Sequence, residues 1–95
     1  MQKTVKTEQQ IQAEIIKWLK SRGYYVVKTI LTGKSGVPDI ITCIEGKFWA
    51  FEVKRPGKKM TKLQEYNIEQ IEKAKGNAWL VTSLEDVRRV IDGYV

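Results

Sequence analysis

Histidine is absent from this chain, and cysteine occurs once, at Cys43. The first absence removes imidazole acid/base catalysis, the Ser-His-Asp triad and His-ligated zinc. The second removes zinc fingers, other Cys-rich metal sites and any internal disulfide, and a lone thiol agrees with a cytosolic setting. A bound metal must then be held by oxygen, which favours hard cations such as Mg²⁺ or Mn²⁺. No apolar run approaches the ~20 residues needed to span a bilayer, so no membrane segment is expected. The polar start, Met1 to Glu8, lacks the apolar stretch of a secretory signal. A cytoplasmic protein, in a bacterium or a phage-infected host cell, is the expectation. Repeats, low-complexity tracts and linkers are missing as well.

What is present fits one small globule. The 95 residues leave room for a single core, with 1–95 as one domain and 1–6 as a flexible lead. The apolar share is 42%, including three Trp, four Tyr and two Phe. Lysine and arginine number 17 against 11 acids, a net charge of +6 that favours a polyanionic partner, nucleic acid first among them. The same excess also serves solubility alone.

Thr7 reads as an N-cap with Gln10 completing a capping box, and Ile11, Ile15, Trp18 and Leu19 follow at helical spacing until Gly23. Tyr24 to Leu31 is rich in β-branched and aromatic residues and predicts a strand, and Thr32 to Val37 a loop. Two more strands, Asp39–Ile44 and Lys47–Lys54, flank the two-residue turn Glu45-Gly46. Pro56-Gly57 breaks the chain. Thr61 and Gln64 repeat the capping-box pattern and open a helix to about Lys75, closed by Gly76. Ala78–Thr82 predicts a short strand, and Ser83 caps a last helix buried through Leu84, Val87, Val90 and Ile91. The order α-β-β-β-α-β-α describes an α/β (α+β) domain with a mixed sheet flanked by helices.

The hairpin carries the chemistry. With Glu45 and Gly46 as turn residues, Ile44 faces Lys47, and stepping outward sets Asp39 directly opposite Glu52. Opposed residues share a sheet face with Cβ atoms about 5 Å apart, and Lys54, two residues beyond Glu52, projects from that face. Two carboxylates so placed repel unless something compensates, and a divalent cation reached by both is the natural compensation. Ile40, Ile41 and Ile44 on one strand and Trp49, Phe51 and Val53 on the other make burial on both sides expected. The bland reading is an exposed strand end, with Asp39 capping a turn and Glu52 paired with Lys54.

Other polar residues border this pair. Glu14 lies beside the buried face of the first predicted helix and could extend over the sheet, or be a solvated rim glutamate. Glu8, nearer the helix start, ranks behind it. Gln64 is adequately explained as a capping residue, or contacts phosphate, water or Lys54. Tyr66 is assigned to the core edge in preference to a substrate contact. Arg55, Lys58, Lys59 and Lys62 surround Pro56-Gly57 as a solvated loop or a phosphate-binding rim, and Lys34 could form the opposite rim. The Gly-Lys-Ser-Gly loop holding Lys34 lacks the spacing of a Walker A motif.

Glu14, Gly36-Val37-Pro38-Asp39, Glu52-Val53-Lys54 and Thr61-Lys62-Leu63-Gln64, in that order, resemble the PD-(D/E)XK nuclease superfamily, specifically its VRR-NUC branch. The resemblance covers nearly the whole chain and implies a restriction-endonuclease-like core and metal-dependent hydrolysis of DNA phosphodiesters. It implies that Asp39, Glu52 and the Val53 carbonyl ligate Mg²⁺ or Mn²⁺, with Glu14 binding directly or through water. Lys54 would position or activate the attacking water and stabilise the transition state, and Gln64 would support Lys54 or the phosphate. Stand-alone, phage-type members are similar to Holliday-junction resolvases, which implies branched DNA and a homodimer, with Tyr94 and Val95 as candidates for its face. The competing expectations are a non-catalytic nucleic-acid-binding module and a partner-binding protein whose acids are surface decoration.

Overall fold

The computed structural model describes residues 5–30 and 33–93. Along the chain run α1 (Glu8–Ser21), β1 (Tyr25–Lys28), β2 (Ile40–Ile44), β3 (Lys47–Val53), α2 (Lys62–Lys73), β4 (Asn77–Val81) and α3 (Leu84–Asp92). The expected order holds, with ends shifted by a residue or two and β1 shorter than the predicted 24–31. Leu31, Thr32, Tyr94, Val95 and the first four residues lie outside the described part, and with them the suggested dimer face and most of the lead.

Local chemistry sets the element ends. Thr7 accepts from the Gln10 N–H while the Gln10 side chain accepts from the Thr7 N–H, and Thr61 and Gln64 repeat the arrangement on α2. Each box satisfies two of the donors that a helix start leaves over. Ser83 accepts from the Asp86 N–H at the start of α3. Glu45 and Gly46 both take positive φ, 51° and 80°, the type I′ combination that matches the twist of a two-residue hairpin. The turn locks the register: Ile44 pairs with Lys47 and Ile40 with Phe51.

The sheet order is β1-β2-β3-β4, antiparallel up to β3 and parallel between β3 and β4. The parallel step requires a crossover, and α2 supplies it. Alternation along β3 then decides what faces what. Trp49, Phe51 and Val53 point into the main core with Ile11, Ile15 and Leu19 of α1 and Val87 and Ile91 of α3. Ala50 points to the other side, where Ile68 of α2 and Ala78 of β4 form a smaller cluster. Burying an aliphatic side chain such as Ile15 or Leu19 contributes about 2 kcal/mol, so the first cluster is the main source of stability. Glu52 falls on the Ala50 side, under α2. Among the described residues no helix is long and apolar enough to cross a membrane.

Candidate active site

The site forms where β3 ends, between the N-terminal turns of α1 and α2. Continuing the observed register one step past Ile40–Phe51 sets Asp39 opposite Glu52, as the turn arithmetic predicts. Asp39 is held firmly. Its Oδ2 accepts from the Val53 N–H at 2.8 Å, and its carbonyl accepts from the Thr29 N–H at 2.9 Å. The Thr29 hydroxyl donates to the Pro38 carbonyl at 2.6 Å, closing the strand end.

Glu52 is 2% exposed, and its carboxylate is asymmetric in its partners. Oε2 accepts from Gln64 Nε2 at 3.3 Å and lies 3.7 Å from Lys54 Nζ. Oε1 is buried with no hydrogen-bond donor. Burial first, and the contacting Asp39 carboxylate second, push the Glu52 carboxyl up to about 8; Lys54 pulls the other way and Glu8 adds to the rise. Two acids in contact, one buried and short of a donor, can share a proton or share a cation.

The backbone offers a further oxygen. The Lys54 N–H reaches the Val81 carbonyl at 3.0 Å, so the polar groups of Val53 turn to the β2 side of the strand. The residue opposite Val53 there is Pro38, which has no N–H to give. With its own N–H on Asp39, Val53 keeps a carbonyl for which the ladder supplies no donor. Among the described residues no three His, Cys, Asp or Glu side chains stand close enough to form a metal cluster. A cation here would accordingly be held by Asp39 and Glu52 with a carbonyl and water completing its shell. An all-oxygen donor set, an orphaned carboxylate oxygen and paired acids fit a hard divalent ion.

Several expected placements are corrected. Glu14 is not brought to the cluster: its carboxylate lies 2.7 Å from Lys6 Nζ, and it flanks a cleft with Pro56 and the start of α3. The physical reason is the layer assignment, because α1 covers the sheet face opposite Glu52 and only its first turn overhangs the strand end. Glu8, in that first turn, accepts from the Arg55 N–H at 3.4 Å and influences Glu52 electrostatically. Its sequence signal was its position within the capping box. Tyr66 is 50% exposed and so is not core edge. Lys34 lines a cleft with Phe48 and the side of α2 from Asn67 to Ala74. That cleft runs from Asn67, one turn after Gln64, toward Phe48, four residues before Glu52 on β3. Gln64 serves both its cap and Glu52. Arg55 and Lys58 close a turn, Lys58 N–H to Arg55 carbonyl at 3.1 Å, over Pro56 and a Gly57 with φ of 85°. Lys58, Lys59 and Lys62 are exposed around it.

The model of one protein family, the archaeal Holliday junction resolvase (Hjc), matches residues 4–92. The chain belongs to the archaeal Holliday junction resolvase family. This family places it among nucleases of branched DNA, in the VRR-NUC branch of the PD-(D/E)XK superfamily. A solved structure described as a VRR_NUC domain is similar at a TM-score of 0.81 and 28% identity, over 93% of this chain and 97% of that one. A VRR_NUC domain protein also reaches 0.81, at 23% identity over 96% of this chain and 89% of that one, and speaks to the fold alone. No curated protein matches the chain.

Proposed function

We propose that this resolvase-family chain is a divalent-metal-dependent endonuclease hydrolysing phosphodiester bonds in branched DNA, four-way junctions or flaps. The observation that carries the metal dependence is the contact of Asp39 with the buried Glu52, one of whose oxygens has no donor. Asp39, Glu52 and the Val53 carbonyl would hold Mg²⁺ or Mn²⁺, with Glu8 rather than Glu14 as the nearby helix acid. A bound ion there supplies charge for the phosphoryl oxygens and lowers the pKa of water.

The chain's own residues do the rest. Lys54, projecting from the Glu52 face, orients the attacking water and neutralises charge growing on the phosphate oxygens. Gln64 and Lys54 both engage Glu52 Oε2, so Oε1, which has no donor, is the oxygen that would be available to a cation. Arg55, Lys58, Lys59 and Lys62 hold the phosphates flanking the cut. The whole chain acts as one nuclease domain in the cytoplasm, and two copies would supply the paired incisions that a four-way junction calls for.

The test is cleavage of linear duplex, single strand, flap and four-way junction in Mg²⁺, Mn²⁺ or EDTA. Cleavage of the branched substrates is expected with either cation and not in EDTA. Lys54→Ala should lower kcat by ~100-fold or more while Mn²⁺ still binds. Cutting that persists in EDTA, or in Lys54→Ala at the parent rate, would contradict this mechanism. DNA binding without cleavage under any condition would make the chain a binding module.

A further inference from the structure

Asn67 is 4% exposed, on α2 one turn after Gln64. Its Nδ2 donates to the Ser35 carbonyl at 3.1 Å and to the Leu63 carbonyl of its own helix at 2.9 Å. Ser35 belongs to the loop that delivers Asp39. The next residue, Gly36, has φ of 78°, and a Cβ there would stand 2.7 Å from Leu63 Cγ and 2.9 Å from Asn67 Nδ2. The loop backbone is thus pressed onto α2, tied by one amide and admitted by one missing side chain. From Gly36 only Val37 and the buried Pro38 separate this tie from Asp39.

The same two turns of α2 therefore contact Glu52 and the loop that leads into Asp39. Gln64 donates to Glu52 directly, and Asn67 donates to Ser35, four residues before Asp39. A helix is stiff over three residues, so the two contacts together set one distance. We propose that Asn67 is a positioning residue of the metal site, fixing through Ser35 and Gly36 where the Asp39 carboxylate stands relative to Glu52. This rests on the metal-dependent reading above. Supports of this kind govern metal affinity because ligands must be held in place before the ion arrives.

The test compares the full chain with Asn67→Leu, which keeps the branching at Cγ and removes the amide donor, and with Gly36→Ala, which pushes the loop off α2 from the other side. Ile91→Val, in the core on the opposite sheet face, serves as a control for lost stability alone. Mn²⁺ affinity is read by calorimetry, and kcat and KM on a four-way junction are measured across Mn²⁺ concentrations. Both site variants should bind Mn²⁺ ~10-fold more weakly or worse. Their kcat at limiting Mn²⁺ should fall in step and recover as the ion is raised, with KM for the junction little changed. Ile91→Val should match the parent in Mn²⁺ affinity. If the parent binds Mn²⁺ and either folded variant binds it equally well, the positioning role is overturned. A parent that binds no Mn²⁺ and cuts in EDTA would instead remove the metal reading itself, and the positioning role with it.

Discussion

At the scale of single residues, Glu52 dominates the chemistry. Its carboxyl ordinarily titrates near 4.5 and is held at about 8 by burial and by Asp39. Between those values the folded chain keeps a proton that the unfolded chain releases. Without a cation, the Glu52 contribution to stability is therefore greatest below ~4.5 and declines as pH rises toward ~8. Glu52→Gln should abolish that decline and melt ~5 °C or more above the parent at pH ~8 in EDTA. Thermal unfolding at several pH values checks it. A cation must displace the same proton, so Mn²⁺ affinity should climb by up to ~10-fold per pH unit between ~6 and ~8 and then level off. Calorimetry in buffers of different ionisation enthalpy reads the released proton, and a pH-independent affinity would count against the paired acids as the site. The pairing itself was legible in the sequence, because a two-residue turn converts residue numbers into cross-strand partners. The shifted acidity was not, since it depends on α2 covering Glu52.

At the scale of elements, turns and caps were the readable features. Thr7–Gln10 and Thr61–Gln64 are reciprocal contacts within three residues, so sequence spacing alone implies them. The hairpin turn is suboptimal at one position, because Glu45 takes a φ of 51° that costs most side chains energy. Asn tolerates this region better, so Glu45→Asn should stabilise the chain by ~0.5 kcal/mol, a shift of ~3 °C in Tm, with cleavage unchanged. A fall in Tm would mean that the turn is not type I′ in solution. The helix acid shows where element-level reading stops. Periodicity gives the azimuth of Glu14 around α1 but not the height of α1 over the sheet, and the end of β3 is overhung by Glu8. Tyr66 went astray for a related reason. Periodicity alone does not say how far a helix's buried stripe extends, and Tyr66 of α2 is left half exposed.

For the whole molecule, charge and layering divide the work. The excess of basic residues, +6 overall, is concentrated beside the site in the turn from Arg55 to Lys62. If Lys58 and Lys59 contact phosphate, the double variant Lys58→Ala/Lys59→Ala should lower the slope of log affinity against log salt by ~2 for a junction. Titrations at several salt concentrations with Ca²⁺ in place of Mg²⁺ measure it, and an unchanged slope would place the DNA elsewhere.

By itself the sequence determined the element order, the caps, the hairpin register, the oxygen-only donor set and the identity of Asp39, Glu52 and Lys54 as neighbours. These rest on contacts within a few residues or on one short turn, where spacing carries the geometry. Tertiary structure alone decided which helix covers which sheet face, and with it the burial of Glu52, the placing of Glu8 rather than Glu14 near it and the tie from Asn67 to the Asp39 loop. Those depend on how distant segments stack, through packing that no local spacing encodes.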